Sequence, residues 1–319
     1  MKVLLSIASR VGAMLLTLVL MSVLIFFAMN YKSPEEVARA AIGRDASPEQ
    51  VEAYAQKNNL YDPFVVRYGN WAKDVLQGDF GVSPITNRPV AEQVGPGLKR
   101  SLTLAVVGVL VAVPVAITLG SMMARRLGKR SDVSVLVGTV AVAATPEFVT
   151  GILLLFLLSA WLGWFPIESG SAFAFGTGAD KAMAYVLPAA TVAIAIVPHL
   201  YRFVRTSVRE GLTAQYTEAA QLRGLSKRTV YWDFVMRNSA APIINATALN
   251  IVFAVAGLVA IESVFSFPGI GQQLVAAIGQ GDAITVQAIA LVMAAIILVV
   301  FLISDMLSLA LNPRLRLSR

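Results

Sequence analysis

Six apolar runs govern what this chain can become. They cover approximately residues 11–29, 101–123, 133–162, 183–201, 240–261 and 283–311. A helix that crosses a bilayer needs about 20 mainly apolar residues, because backbone groups inside the hydrocarbon must be satisfied within the segment itself. All six runs qualify, and the third and sixth are long enough to tilt or to extend past the bilayer. The expectation is an all-α polytopic membrane protein with six transmembrane helices. Composition agrees: 57% of residues are hydrophobic and 14% charged, against about 25% charged in soluble domains. The first run follows Lys2 and Arg10, as in a signal peptide, but its core is too long and no small-residue cleavage site follows. It is read as a retained span.

What the chain lacks excludes several chemistries. With no cysteine and a single histidine, His199, neither a disulfide framework, a thiolate metal site, a multi-histidine metal site nor a histidine-based triad is expected. The net charge of +7 is a topology signal rather than a nucleic-acid footprint. If residues 1–10, 124–132, 202–239 and 312–319 lie inside the cell, they carry sixteen bases (among them Arg125, Arg126, Lys129, Arg130, Arg205, Arg223 and Arg314) and four acids, Asp132, Glu210, Glu218 and Asp233. Segment 30–98 carries seven bases and nine acids. Positive charge collects on the cytoplasmic side, so both termini are expected there.

Four parts are expected. Residues 1–30 form a cytoplasmic start and the first span, 31–98 an extracytoplasmic helical subdomain, 99–311 the transmembrane core, and 312–319 a cytoplasmic tail. Within 31–98, Ser33 and Ser47 each precede a proline and acids, the pattern of a capped helix start. Gly43 and Asn58 or Asn59 close those two helices, and a third runs from Asp62 to Gly78. Its apolar residues Val65, Tyr68, Trp71, Val75 and Leu76 suit either internal packing or the docking of a soluble partner. No internal repeat is visible, nor the matched discontinuous helices of an inverted-repeat carrier.

The polar stretch "YTEAAQLRGLSKRTVYWDF", residues 216–234, is out of place between two apolar runs. On a helix, Tyr216, Ala219, Ala220 and Gly224 share one small-residue face, with Glu218, Gln221 and Arg223 around it. Gly224 suits a left-handed helix end, and Ser226 can start a second helix. An ordinary amphipathic helix at the membrane surface would look similar.

"YTEAAQLRG" followed by "RNSAAPII" resembles the EAA loop of bacterial ABC importer permeases. "ESVFSFPGIGQQLVAAI", "SDMLSLALNPRLR", "LQGDFGVSPITNRPVAEQV" and "WLGWFPIESG" resemble the dipeptide/oligopeptide/nickel branch, so the similarity covers nearly the whole chain. Two stretches depart from that branch, "MNYKSPEE" after the first span and "TPEFVTG", which places Glu147 in the third. The resemblance implies the type I ABC importer transmembrane fold, and the first permease of a pair. It also implies that the loop 202–239 docks on a cytoplasmic ATPase through Tyr216, Glu218, Ala219, Ala220, Arg223, Gly224 and Leu225. The implied partners are a second related permease, one or two ATPase subunits and an extracytoplasmic binding protein, in the bacterial inner membrane. Peptides are the implied cargo, with nickel, glutathione or oligosaccharide as alternatives.

No G-x-x-x-x-G-K-[ST] phosphate loop occurs, so ATP and Mg are expected in the partner subunits and no cofactor in this chain. Carboxylates within spans are costly and often functional. Glu147, after Pro146 in a kinked helix, can face a substrate amine or pair within the bundle. Glu262, Phe267, Pro268 and Gly269 mark a candidate gate, Glu262 being otherwise a solvated helix end. Asp305 is expected to pair with Arg314 or Arg316, and His199 to be an interfacial histidine with its hydrogen bonds met. The rivals are an ion-coupled carrier working alone, an intramembrane enzyme, for which no catalytic dyad is visible, and a scaffold without transport.

Overall fold

The computed structural model of the chain describes residues 2–43 and 46–311. The helices run in the order α1 (Lys2–Asn30), α2 (Pro34–Ile42), α3 (Pro48–Lys57), α4 (Phe64–Leu76), α5 (Val90–Ala124), α6 (Arg130–Ala143) and α7 (Glu147–Leu154). A π-helical continuation of α7 (Leu155–Trp161) precedes α8 (Ser169–Phe175), α9 (Gly178–Thr213), α10 (Gln215–Leu222) and α11 (Lys227–Thr229). A second π-helical stretch (Val230–Met236) joins α11 to α12 (Arg237–Val264), followed by α13 (Ile270–Gln280) and α14 (Ala283–Leu311). Among the described residues the only β-type pairing is one bridge, Val82 to Pro89.

Five of these helices are long and apolar enough to cross a membrane: Ile7–Asn30, Val90–Ala124, Gly178–Thr213, Lys227–Val264 and Ala283–Leu307. The third expected span is not one helix. Arg130–Ala143 and Glu147–Trp161 meet at 99°, so together they make a sixth crossing only as a broken one. The cause is local, since Pro146 supplies no N–H and pushes Thr145 out of the helical region. Two other expected boundaries move as well. Helix α5 starts at Val90 rather than 101, and α9 continues to Thr213, so much of the polar loop expected over 202–239 is continuous with the flanking long helices.

The chain divides into two compact units, one formed by Met1–Val11, Thr103–Phe267 and Val299–Arg319, the other by Gly12–Leu102 and Pro268–Leu298. In the first, α9 lies at the centre of an apolar core that includes Leu104, Val192, Leu200, Val204, Val208, Val235 and Ile261. Helix α5 approaches α9 at two glycines. A Cβ on Gly108 would stand 2.5 Å from Val192 Cγ1, and one on Gly120 2.7 Å from Val204 Cγ1. Close approach through small residues is how apolar helices gain packing contacts where no hydrophobic drive separates them from lipid.

In the second unit the expected caps form. Ser33 accepts from the Glu36 N–H, Ser47 and Gln50 make a reciprocal capping box, and Ala38, Val51, Ala55 and Leu60 bury a small core between α2 and α3. Helix α4 departs from expectation. It begins at Phe64 with Pro63 at the cap and no side-chain cap bond, so Asp62 plays no capping part. Its apolar residues also divide: Tyr68 and Trp71 pack edge-on or tilted against Phe26 of α1 at 5.6 and 5.2 Å, whereas Val65 and Leu76 are 76% and 88% exposed. Further along, Asp282 starts α14 by accepting from the Thr285 N–H and hydroxyl. The same carboxylate accepts from the Ser83 hydroxyl, 199 residues away in sequence, and all three side chains are buried.

Candidate functional site

The sequence "QYTEAAQL" folds as the short helix α10 between the end of α9 and the start of α11. Its far end is closed by a Schellman turn. The Gly224 N–H donates to the Gln221 carbonyl at 2.9 Å and the Leu225 N–H to the Ala220 carbonyl at 3.3 Å. Gly224 has φ +78, a left-handed conformation that costs a residue with a Cβ about 1–2 kcal/mol. Ser226 then accepts from the Thr229 N–H and opens the next helix.

Helix α10 turns one face inward and leaves the other open. Ala220 and Thr217 are buried, and the Thr217 hydroxyl donates to the Gly211 carbonyl at 2.6 Å. Glu218, Ala219, Arg223 and Gly224 are exposed, Leu222 is 83% exposed and Leu225 39%. The small-residue face therefore splits: Ala220 anchors the helix, while Ala219 and Gly224 stand free on its outer side. Tyr216 lies between, its hydroxyl close over Gly211, and that partial burial pushes its phenol pKa up.

Three contacts hold the surrounding helices. The Arg205 guanidinium grips Asp132 with two bonds, Nε to Oδ1 at 2.7 Å and Nη2 to Oδ2 at 2.6 Å. The Gly128 N–H adds a third bond to that carboxylate. Arg125 stacks over the Tyr231 ring at 3.8 Å, and the Ser239 hydroxyl donates to the Ser207 carbonyl at 3.0 Å. In the sequence Asp132 is one of only four acids within the basic segments. An isolated acid among four cations was the available hint that one of them, or another nearby, holds it.

The carboxylates of the apolar core occupy definite places. Glu147 is the first residue of α7, and its side chain lies across Gly257 of α12, where a Cβ would meet Oε1 at 2.8 Å. Glu262, near the end of α12, is fully buried, which removes the reading of a solvated helix end. Its carbonyl accepts from the Phe267 N–H at 2.8 Å. Phe267 is equally buried, with its ring edge-on to Phe173 at 5.3 Å and Tyr185 at 5.1 Å. In the second unit, the Pro268 carbonyl accepts from Arg100 at 2.8 Å, and Gly269 precedes α13 with an extended backbone, φ −96. Asp305 pairs with Arg10. The expected partners Arg314 and Arg316 lie outside the described residues. His199 is exposed, and its Nδ1 accepts from the Arg202 guanidinium at 3.0 Å. Among the described residues no group of three His, Cys, Asp or Glu side chains is placed to hold a metal ion.

The described residues thus hold five helices long and apolar enough to cross a membrane, a bent helical pair over 130–161 and a short exposed helix, α10, after α9. Residues 116–317 match the family described as the binding-protein-dependent transport system inner membrane component, and residues 3–90 match its N-terminal membrane component. The chain belongs to this family. It is an inner-membrane permease subunit of an ABC importer with the type I transmembrane fold, a family of permeases rather than catalytic subunits that works with ATPases and a binding protein. Among individual relatives, it is 29% identical over 307 residues to the glutathione transport system permease protein GsiC of Salmonella typhimurium (strain LT2), covering 96% of this chain and 97% of that one. The protein of the same name from Escherichia coli (strain K12) is 28% identical over the same shares.

Proposed function

We propose that this permease subunit imports short peptides, a class that includes the tripeptide glutathione, with both termini and α10 facing the cytoplasm. The observation that carries the reading is α10 itself. It is fixed to the body by Thr217 and Ala220, and it presents Glu218, Ala219, Leu222 and Arg223 outward. The excess of basic residues over 124–132 and 202–239 supports the orientation. In this reading α10 docks on an ATPase subunit, with Leu222 as its apolar anchor. ATP and Mg are held by the ATPases and not by this chain. A second, related permease completes the path, and the binding protein delivers cargo on the side of residues 31–98.

Closure of the ATPases on ATP would displace α10, and the displacement would pass through the Lys227–Val264 helix to Glu262 and Phe267. These two residues, with Pro268 and Gly269, act as the gate. Glu147 borders the path and meets the ammonium end of the peptide, an attraction a half-buried carboxylate provides.

The chain contains no cysteine, so a single Leu222→Cys substitution gives an unambiguous thiol probe. In membranes containing the assembled importer, a short thiol-reactive cross-linker at this position should capture the ATPase. Proteoliposomes holding the two permeases, the ATPases and the binding protein should accumulate labelled dialanine and glutathione only with ATP. Cross-links solely to lipid or to this chain, or uptake driven by an ion gradient without ATP, would overturn the reading.

A further inference from the structure

A cavity of about 400 Å³ opens within the second unit, between the end of α1, helices α2 to α4 and the start of α14. Its size falls inside the roughly 300–1,000 Å³ of small-molecule sites. Its lining is neither a lipid groove nor a plain polar crevice. Trp71 and Phe26 supply aromatic wall, while Lys57, Arg67, Asp74 and Asp79 supply two positive and two negative charges.

Those four charges do not neutralise one another: among the described residues no ion pair joins Lys57 or Arg67 to Asp74 or Asp79. Arg67 donates a single bond, from Nη2 to the Asn30 amide oxygen at 2.6 Å, out of the five donors a guanidinium carries. Asp79 accepts one bond, from the Gly81 N–H at 2.8 Å. The decisive residue is Gln287 in the first turns of α14. It lines the cavity, is 7% exposed, and its Nε2 has no hydrogen-bond partner. A buried amide donor without a protein partner is costly and rare in native structures, so this one is available to an acceptor on a ligand.

We infer that this cavity is a binding site for a small zwitterion, with Arg67 and Gln287 Nε2 taking its carboxylate, Asp74 its ammonium group, and Trp71 its apolar part. Bidentate guanidinium and a neutral amide donor suit a planar carboxylate, and a lining that carries charges of both signs suits a molecule of zero net charge. A free amino acid or dipeptide has this chemistry. The site is argued from its lining alone and stands whether or not the importer carries peptides.

The test is equilibrium binding of tritiated dialanine to the full chain in lipid nanodiscs, without ATPases or binding protein. Saturable binding is expected, weakened at least tenfold by Arg67→Gln and by the near-isosteric Gln287→Leu. N-acetyl-dialanine and dialanine amide, each lacking one charge, should compete at least tenfold less well than dialanine. Monodisperse gel-filtration profiles show which variants are folded, and Gln287→Leu serves if Arg67→Gln does not fold. Absence of saturable binding to the unaltered chain, unchanged affinity in the folded variant, or equal competition by the blocked peptides would each overturn the assignment. Because the readout is binding rather than uptake, failure here is separable from failure of the import reading.

Discussion

Replacing Asp132 by Asn should be among the most damaging single changes in the first unit. Asp132 is 2% exposed, and its carboxylate accepts three hydrogen bonds, two from Arg205 and one from the Gly128 N–H. The Arg205 side chain is 19% accessible, so the cation cannot fully return to water once its partner is neutral. Breaking a buried pair at one end costs about 3–5 kcal/mol. The residual access of Arg205 places the expected loss at the lower edge, about 3 kcal/mol, or roughly a hundredfold in the folded-to-unfolded ratio. A double-mutant cycle decides the cause. Asp132→Asn, Arg205→Gln and the pair would be unfolded by SDS in mixed micelles and followed by tryptophan fluorescence. The double variant should be no worse than Asp132→Asn alone, because it removes the stranded cation along with the anion, so the coupling should be at least as large as the Arg205→Gln loss, about 3 kcal/mol. Additive losses would refute the reasoning, and so would a single-variant loss below about 1 kcal/mol, the range of solvent-screened pairs.

Four further outcomes follow from particular contacts. Gly224→Val should cost about 1–2 kcal/mol through its positive φ alone, since no heavy atom lies within 4 Å of the new Cβ. Insertion and micellar stability should be nearly kept while uptake by the assembled importer falls, and normal uptake would remove α10 from the mechanism. Gly120→Leu should destabilise by 3 kcal/mol or more, about the top of the overpacking range, because Val204 and the Tyr201 carbonyl already stand within 3.0 Å of the Cβ position; thermal aggregation of the purified chain measures it. Ser83→Ala removes one donor from the buried Asp282 carboxylate and should cost about 1–3 kcal/mol, read as faster proteolysis of the second unit. Leu222→Ser should leave stability within about 0.5 kcal/mol, given its 83% exposure, while weakening ATPase recovery in pull-downs.

Features whose physics is local could be read from the chain. Ser33 and Ser47 satisfy N–H groups three residues ahead, and Gly224 takes a backbone conformation few other residues tolerate, so caps and turn were visible in order of residues alone. Asp62 shows the limit of that reasoning, because Pro63 occupies the cap position and the acid falls one place too early. The proline of "TPEFVTG" announced a bend, but its size of 99° is not written in the order of residues. On α10, Ala219 and Ala220 are equivalent by composition and differ only by a step of about 100° around the helix; the third dimension chose Ala220 as the buried one. The pairing of Asp132 with Arg205 joins residues 73 apart, and Ser83 with Asp282 joins residues 199 apart. Separations of that size leave no periodicity to detect. The full burial of Glu262 likewise leaves no mark in the order of residues.

The helical run that begins beside Ser226 extends over 38 residues, from Lys227 to Val264, with a π-helical stretch over Val230–Met236 and Pro242 inside it. At 1.5 Å per residue it measures about 57 Å, nearly twice the thickness of the hydrocarbon it crosses. A shaft of that length converts angle into distance: a tilt of about 5° about one end carries the other through about 5 Å, close to one helical turn. Glu262 rides two residues from the far tip, and Phe267 is tethered just beyond it. The π-helical stretch and Pro242 both lie near the polar end, so beyond Pro242 a small rotation of the shaft is magnified into a displacement as large as a side chain.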